Sequence, residues 1–325
     1  MEGNIILKLK ESGLLGRGGA AFPTWKKWQS VLDSRGEKTY IICNASEGEP
    51  DVHKDKYLLE HRAPEVISGI KKALHFFPRS SAYIYINPEY YRSFGRHLKA
   101  LTENLPITIF IKRGHYLAGE ETALIADIEG KRIEPTLKPP YPYKKGLYGA
   151  PTLANNVETF YYISQIDEGH FLNTRFYTIS GEVSHPGVFE LPERWTIERV
   201  LLATKNDPAF DFFVQVGGGV SGEILSHAEL KKPASGAGSI RVYRKATTNP
   251  MKLMGYWADF YLKENCDKCL PCREGMYRIS EMVVGGKIDI SALNDIAMTM
   301  KSASFCPLGR GAADPFVSLL RLYKE

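Results

Sequence analysis

The sequence predicts an α/β protein in which a layer with a parallel sheet precedes a smaller α+β unit and a helical C-terminal region. Three observations support this prediction. Short β-branched runs alternate with amphipathic helical stretches between residues 39 and 128, short strands surround one helix between 174 and 245, and only helical periodicity remains after residue 250. Alternating strands and helices are typical of a parallel sheet covered by helices.

The first layer begins after a glycine-rich loop and ends at a long aromatic loop. Pro23 suits the first turn of a helix that we expect to run to about Ser34. The predicted strands are 39–43, 82–86 and 107–111, and the predicted helices are 64–77, 89–102 and 119–128. The loop at 135–151 is rich in Pro, Gly and Tyr. Loops of this length are usually functional or disordered, and the aromatic content favours function.

The rest of the chain divides into two regions of different periodicity. Predicted strands at 175–180, 187–191, 212–216 and 239–243, with a helix at 196–203, indicate a small α+β unit. The predicted helices of the C-terminal region are 250–264, 272–284, 291–302 and 311–324. A chain of 325 residues fits two or three domains in total.

Composition and charge exclude several functional classes. No apolar stretch approaches the roughly 20 residues that a membrane-spanning helix needs, and the first ten residues mix Glu and Lys with apolar residues, unlike a signal peptide. The net charge of +5 comes from scattered basic pairs, not from the concentrated basic surface of a nucleic-acid-binding protein. We therefore expect no direct membrane span, no nucleic-acid partner, and a location in the cytoplasm or in the peripheral arm of a membrane-bound complex.

Four of the five cysteines form the strongest chemical signal. Cys266, Cys269 and Cys272 are spaced by two residues, and Cys306 follows far downstream, directly before a proline. This spacing is similar to that of ferredoxin-type [4Fe–4S] sites, including the Cys-Pro ending. A structural zinc site is the alternative, although a zinc ribbon normally pairs two Cys-x2-Cys motifs. Cys43 ends a predicted buried strand and is expected to be a core residue.

A second candidate site begins with the loop Gly16-Arg17-Gly18-Gly19. Its backbone N–H groups can approach an anion closely, and a helix N-terminus follows within a few residues, which is a physical basis for phosphate binding. Arg17 and Lys27 are candidates to neutralise the phosphate charge. A structural glycine turn is the alternative interpretation of this loop.

Polar residues cluster at three further places in the same region. The segments 44–50 and 116–122 each follow a predicted strand, where ligands bind in open α/β sheets. The segment 155–159 contains two adjacent asparagines, which are costly to bury without partners. Each cluster alone would be interpreted as an ordinary cap or turn, whereas all of them together favour a bound nucleotide.

Together these motifs resemble the NADH-binding FMN/[4Fe–4S] flavoprotein subunit of respiratory complex I, which is the F subunit of NADH-quinone oxidoreductase. Diaphorase subunits of NAD-linked hydrogenases and formate dehydrogenases are related to it. The matching segments follow the family order over nearly the whole chain. They are 16–24, 44–50, 119–124, 129–132, 137–140, 151–159 and 269–275.

The resemblance implies a fold of three domains and a set of cofactor-binding residues. Residues 1–172 would form a Rossmann-like FMN/NADH domain, 173–247 a β-grasp (soluble-ligand-binding) domain, and 248–325 a helical bundle carrying the [4Fe–4S] cluster. The residues implied around FMN are Gly16, Arg17, Gly18, Lys27, Asn44, Ser46, Glu47, Tyr116, Gly119, Glu120, Asn155, Asn156 and Thr159. Those implied around NADH are Phe22, Glu49, Glu121, Lys138 and Tyr141, and those implied around the cluster are Cys266, Cys269, Cys272 and Cys306.

The resemblance also implies an activity and partners. An NADH dehydrogenase (diaphorase) subunit would pass a hydride from NADH to FMN, and single electrons to the cluster and to partner-subunit clusters, with no separate catalytic side chain. The implied partners are a thioredoxin-like [2Fe–2S] subunit and a larger iron–sulfur subunit. Asp51 and His53 stand where the family has Gly and an aromatic residue. They motivate an alternative, a flavin/iron–sulfur electron-transfer subunit of a complex I-like or hydrogenase-like assembly, with an altered nicotinamide site and fed by a protein donor.

Overall fold

The computed structural model describes residues 5–34 and 36–323, which fall into two compact units. The first contains the described residues up to Gly48, together with His53–Ile133 and Leu137–Phe176. The second contains Glu49–Val52, Glu134–Thr136 and the described residues from Tyr177 onward. The outer limits of the predicted domains, residues 1 and 325, lie outside the described residues.

Four parallel strands form the sheet of the first unit. They are β1 (Thr39–Ala45), β2 (Ser80–Ile86), β3 (Ile107–Ile111) and β4 (Thr152–Asn156), in the spatial order β3-β2-β1-β4. The chain runs outward from β1 to β3 and then returns to the other side of β1. The strand order therefore reverses between β1 and β4, and ligands of open α/β sheets bind at the carboxyl ends of strands at such a point.

Helices accompany this sheet. They are α1 (Ile5–Ser12), α2 (Thr24–Asp33), α3 (Lys54–His61), α4 (Ala63–Phe76), α5 (Pro88–Thr102), α6 (Glu121–Ile128), α7 (Pro142–Lys145) and α8 (Val157–Glu168). α4 and α8 approach so closely that a Cβ on Gly69 would collide with the carbonyl oxygen of Phe160. The predicted strands and helices are confirmed, while α1, α3, β4, the short α7 within the predicted loop, and α8 were missed. α8 shows no amphipathic period because Val157–Ser164 is buried on every side.

A five-stranded mixed sheet and the helix α9 (Ile197–Ala203) follow, nearly all of them within the second unit. The strands of this sheet are β5 (Thr174–Gly181), β6 (Gly187–Pro192), β7 (Phe212–Val216), β8 (Glu223–Ser226) and β9 (Ser239–Arg244), in the order β6-β5-β9-β7-β8. β5 is parallel to β9, whereas β7 is antiparallel to both β8 and β9. The apolar face of α9 packs on this sheet through Ile197, Val200 and Leu201.

The C-terminal part of the second unit is helical, as predicted. Its helices are α10 (Pro250–Glu264), α11 (Leu270–Val284), α12 (Ile290–Ala303), α13 (Pro307–Gly311) and α14 (Asp314–Leu322). The helix predicted at 311–324 is confirmed as α14, although it begins at Asp314, with Pro315 in its first turn, where the missing N–H is tolerated. The short α13 before it was not predicted, and residue 324 lies outside the described residues. Among the described helices, none is long and apolar enough to cross a membrane. The mixed α/β architecture with a parallel sheet and a helical C-terminal region is confirmed.

Candidate functional site

Two asparagines meet where the strand order of the parallel sheet reverses. Asn44 near the end of β1 and Asn156 at the end of β4 are partners in the register of the two strands. Asn156 Nδ2 donates to the carbonyl oxygen of Asn44 at 3.4 Å, and Asn44 Nδ2 donates to the carbonyl oxygen of Gly119 at 2.9 Å. Predicted residues from three separate segments are therefore brought together at one edge of the sheet.

A serine and a glycine pack tightly beside these amides. Ser46 Oγ donates to Asn44 Oδ1 at 2.5 Å, and a Cβ on Gly119 would lie 3.0 Å from Ser46 Oγ. Gly119 ends a 3-10 turn that begins at Tyr116, and the ring of Tyr116 lies close to Gly48. Because Gly119 and Ser46 are this close, only a glycine at position 119 leaves its backbone accessible to a ligand.

The glycine-rich loop lies at the same edge. Gly16 N donates to the carbonyl oxygen of Phe22 at 2.8 Å, which closes the loop, and Phe22 itself is exposed. A Cβ on Gly18 would lie 3.5 Å from the Cβ of Asn156. The loop therefore lies over the end of β4, and it directly precedes the N-terminus of α2. This arrangement agrees with the predicted phosphate site.

The Arg17 side chain is buried against an acidic partner. Arg17 is 2 % exposed, its Nη2 donates to the carbonyl oxygen of Thr174 at 3.2 Å, and its Nε lies 3.9 Å from the buried Glu158 carboxylate. Its backbone N donates to Thr159 Oγ1 at 3.0 Å. The guanidinium thus compensates a buried carboxylate, which would be costly to leave unpaired, and its contact with a phosphate stays a prediction.

The two adjacent asparagines also differ in placement. With its amide oriented to satisfy both neighbours, Asn155 accepts from Trp28 Nε1 at 3.3 Å and donates to the carbonyl oxygen of Ala154 at 3.1 Å. Asn156 faces Asn44 and the glycine loop. Successive side chains of a strand point to opposite faces, so β4 brings only one of the pair to the convergence of Asn44, Gly18 and Gly119. Contact of Asn155 with FMN stays a prediction.

Two lysines and two glutamates form a charge cluster next to α6. Lys27 Nζ donates to Glu121 Oε1 at 3.0 Å, and Lys138 Nζ donates to Glu120 Oε1 at 3.0 Å. Burial alone would raise the pKa of Glu121, but Lys27 and Lys138 outweigh burial and lower it. Glu120 Oε2 also caps α6 by accepting from the N–H groups of Thr122 and Ala123. The two positive and two negative side chains balance each other, and the Lys138–Glu120 pair holds the loop that contains Lys138 against α6.

Tyr141 presents an aromatic face. Its ring stacks on that of Tyr143, with centroids 5.3 Å apart and planes 8° apart, and it is 43 % exposed. An exposed tyrosine ring can stack on a planar ligand, and contact of Tyr141 with the adenine of NADH stays a prediction.

A buried ionic network beneath the asparagines was not predicted. Lys54, 2 % exposed, donates to Asp55 Oδ1 at 2.7 Å and to Asn156 Oδ1 at 3.0 Å, and lies 3.3 Å from Glu158 Oε2. Asp55 Oδ2 accepts from Asn156 Nδ2 at 2.6 Å. The network holds the Asn156 side chain in place. Lys54 and Asp55 gave no signal in the sequence, since an adjacent Lys-Asp pair is ordinarily exposed.

Glu47 lies at the edge of this network with a perturbed carboxyl. It accepts from Asp55 N at 3.1 Å and from Tyr90 Oη at 2.9 Å. Burial, followed by the charge of Asp55, raises the pKa of Glu47 from 4.5 to about 8. The folded protein therefore retains a proton that the unfolded chain loses above pH 4.5, and stability is lost as the pH rises from about 4.5 to about 8.

Glu47→Gln should remove this pH dependence. Glutamine cannot ionise, so the variant should gain stability over the wild type as the pH rises, by up to about 1.4 kcal/mol per pH unit. Denaturant unfolding at pH 5 and pH 8 measures the difference. Glu60→Gln, on the exposed side of α3, is the control. An equal stability difference for Glu47→Gln at both pH values would contradict the assignment.

Glu49 and Asp51 belong to the second unit. Glu49 Oε1 accepts from the backbone N–H groups of Val220 and Ser221 and from Ser221 Oγ, each at 3.0 Å. Asp51 adopts a positive φ of 61° and forms an ion pair with Arg241. The Glu49 carboxylate is thus held by a glycine-rich loop, and the Asp51 charge is compensated by Arg241. A role of Glu49 in binding NADH stays a prediction.

The four clustered cysteines occupy helix starts and connections in the second unit. Cys269 directly precedes α11, Cys272 lies in its first turn, and Cys306 directly precedes α13, while Cys266 lies between α10 and α11. None of the four is in a disulfide bond, and all but the partly buried Cys266 are buried. Cys43 is a buried core residue of β1, as predicted.

The chemistry of this donor set fits an iron–sulfur cluster. Burial, and then the neighbouring Cys269, Cys306 and Cys266, raise the pKa of Cys272 to about 12, so the thiolate requires a cationic centre. Within the described residues, no three His, Cys, Asp or Glu are arranged to hold one metal ion. A cubane distributes four thiolates over four irons, so its ligands lie farther apart than those of a single ion.

Comparisons with known proteins agree with both sites. A family model described as the Nuo51 FMN-binding domain matches residues 9–165, and one described as the NADH-ubiquinone oxidoreductase-F iron-sulfur binding region matches residues 252–325. The F subunit of the NADH-quinone oxidoreductase of Streptomyces coelicolor is 34 % identical over 99 % of this chain and 82 % of its own length.

Hydrogenase proteins are similar as well. The NAD-reducing hydrogenase HoxS subunit alpha of Cupriavidus necator is 31 % identical over 99 % of this chain and 59 % of its own length. The crystal structure of an NAD+-reducing [NiFe]-hydrogenase in the H2-reduced state superposes with a TM-score of 0.90 at 29 % identity. It is matched over 99 % of this chain and 61 % of the hydrogenase chain, so this chain spans about six tenths of that protein.

Proposed function

Because this chain belongs to the family of NADH-quinone oxidoreductase F subunits, we propose that it is an NADH dehydrogenase-type subunit whose first unit binds FMN and NADH and whose C-terminal helices hold a [4Fe–4S] cluster. Bound FMN supplies the acceptor for a hydride from NADH and the means to release single electrons to the cluster. The family match confirms the resemblance predicted from the sequence, with its FMN-binding and iron–sulfur regions.

The convergence at the end of β1 and β4 carries the proposal for FMN. Asn44, Ser46 and Asn156 supply amide and hydroxyl groups there, and Gly18 and Gly119 keep the backbone accessible. In this proposal the glycine loop and the start of α2 hold the FMN phosphate through backbone N–H groups. The parallel sheet is then the core of a Rossmann-like domain, and the five-stranded sheet that of a β-grasp domain.

Tyr141→Ala should weaken NADH binding without loss of FMN. Stacking of an aromatic pair is worth about 0.5–1.5 kcal/mol, so we expect the KM for NADH to rise by roughly 2- to 13-fold at similar kcat. Steady-state kinetics with an artificial acceptor, alongside flavin content, measure both. Tyr141→Phe keeps the ring face and should match the wild type. An unchanged KM in Tyr141→Ala would remove the stacking role.

The alternative is a subunit with an altered nicotinamide site that receives electrons from a protein donor. It was motivated by the charge of Asp51, but the ion pair with Arg241 compensates that charge within the second unit. The electrostatic reason for excluding NADH is thereby removed. His53, the other unusual residue, directly precedes α3.

Anaerobic addition of NADH to the purified protein tests the proposal. The flavin absorbance should bleach with NADH as it does with dithionite. Bleaching with dithionite alone would contradict the proposal and favour a protein donor. We further propose that the subunit passes electrons to a thioredoxin-like [2Fe–2S] subunit and a larger iron–sulfur subunit of a multi-subunit complex, as its relatives are subunits of quinone oxidoreductases and hydrogenases.

A further inference from the structure

Ser304 carries a buried hydroxyl without a hydrogen-bond partner among the described residues. The residue is 2 % exposed, and its Oγ neither donates nor accepts. Its backbone is fixed on both sides, because its N donates to the carbonyl oxygen of Met300 at 3.0 Å and its carbonyl oxygen accepts from Arg310 Nε at 2.9 Å. A buried hydroxyl without a partner is unfavourable because it has lost its hydrogen bonds to water, and an acceptor at this position would remove that penalty.

Other serines of the C-terminal helices satisfy their hydroxyls locally. Ser302 Oγ donates to the carbonyl oxygen of Met298 at 2.9 Å, and Ser318 Oγ donates to that of Asp314 at 2.8 Å. Ser304 follows the last residue of α12 and adopts an extended backbone with ψ of 147°. Among the described residues, no carbonyl group of its own helix accepts from this hydroxyl.

The neighbours of this hydroxyl are two of the proposed cluster ligands. A Cβ on Gly309 would lie 2.9 Å from Ser304 Oγ and 3.0 Å from the Cβ of Cys272. Gly309 thus lies between Ser304 and Cys272, and its lack of a side chain allows the two residues to approach each other. Cys306 follows Ser304 by two residues and directly precedes α13. The unpartnered hydroxyl and the Cβ of Cys272 therefore lie against the same side of Gly309.

We propose that Ser304 donates a hydrogen bond to a sulfur of the [4Fe–4S] cluster and raises its reduction potential. The inference rests on the proposed function, since the acceptor is a thiolate or sulfide sulfur of the cluster. Reduction adds negative charge to the cluster, and a donor aimed at a sulfur stabilises that charge. Because the site is buried, water does not weaken this interaction.

Ser304→Ala tests the inference through the cluster potential. The variant should retain iron and sulfide, and its midpoint potential should fall in an EPR-monitored redox titration. At the wild-type midpoint, we expect the ratio of reduced to oxidised cluster to fall by up to roughly tenfold, equivalent to about 59 mV for a one-electron couple. Ser302→Ala deletes the same group at an exposed position of α12 and should leave the potential unchanged. Ser304→Thr keeps the hydroxyl and should retain the wild-type potential.

Each outcome is decisive. An unchanged potential in a cluster-loaded Ser304→Ala protein overturns the inference but leaves the proposed function intact. If Ser304→Ala loses the cluster while Ser304→Thr keeps it at the wild-type potential, the hydroxyl is required and the inference is supported. Loss of the cluster from both variants overturns it, because packing would then explain the effect. Absence of iron and sulfide from the wild-type protein would instead refute the proposed function itself.

Discussion

Cys272→Ala should remove the [4Fe–4S] cluster and leave FMN bound. Cys272 is 3 % exposed, and burial together with its neighbouring thiols leaves its thiolate dependent on a cationic centre. Removing one of four thiolates deprives one iron of its protein ligand. The proposed FMN residues around Asn44 and Asn156 belong to a different compact unit, so flavin binding should persist. Iron, acid-labile sulfide and extracted FMN, each per chain, are the measurements.

Cys43→Ala is the matched control for this experiment. It deletes the thiol of a buried cysteine in β1 and should leave the iron content unchanged. Loss of both cofactors from Cys272→Ala would contradict the assignment of separate binding regions. Full retention of iron and sulfide would remove Cys272 from the ligand set.

Lys54→Met should lower the free energy of unfolding by about 3–5 kcal/mol. Lys54 is 2 % exposed and compensates the carboxylates of Asp55 and Glu158, which are equally buried. Without the ammonium group, these two carboxylates stay buried and lose the positive charge that compensates them. Lys54 also donates to Asn156, so FMN content should fall with stability. Denaturant unfolding and flavin content per chain measure the two effects.

The neighbouring Lys56 provides the control, since its side chain is 41 % exposed and its carboxylate partner, Glu89, is exposed as well. Surface ion pairs are worth about 0–1 kcal/mol, so Lys56→Met should change the free energy of unfolding by less than that. A Lys54→Met protein as stable as Lys56→Met would contradict the account of the buried network.

The sequence was sufficient for the parts of the fold and site that depend on short-range patterns. β1 and β3 have their predicted positions because runs rich in β-branched and aromatic residues favour strands, both in the largely buried β1 and in the more exposed β3 at the edge of the sheet. The glycine loop and the asparagine at 44 were recognisable because turn glycines and polar residues after strands have characteristic positions. The cysteine spacing likewise identified the cluster region without knowledge of the fold.

Features that depend on tertiary packing were not predictable. α8 is buried on all sides and shows no periodicity, while the pairing of Lys54 with Glu158 joins residues that are far apart in the chain. The burial of Arg17 against Glu158 also depends on residues distant in the chain and could not be predicted from the glycine-rich loop alone. The hydroxyl of Ser304 has no hydrogen-bond partner among the described residues. This property depends on atoms of several helices and cannot be predicted from the sequence.

EPR spectroscopy after anaerobic addition of NADH follows electrons from NADH to the cluster. In the wild-type protein, NADH should bleach the flavin and produce a reduced-cluster signal. In Cys272→Ala, NADH should still bleach the flavin while the cluster signal is absent. A wild-type protein in which dithionite, but not NADH, reduces the flavin and the cluster would contradict the proposed route of electrons from NADH.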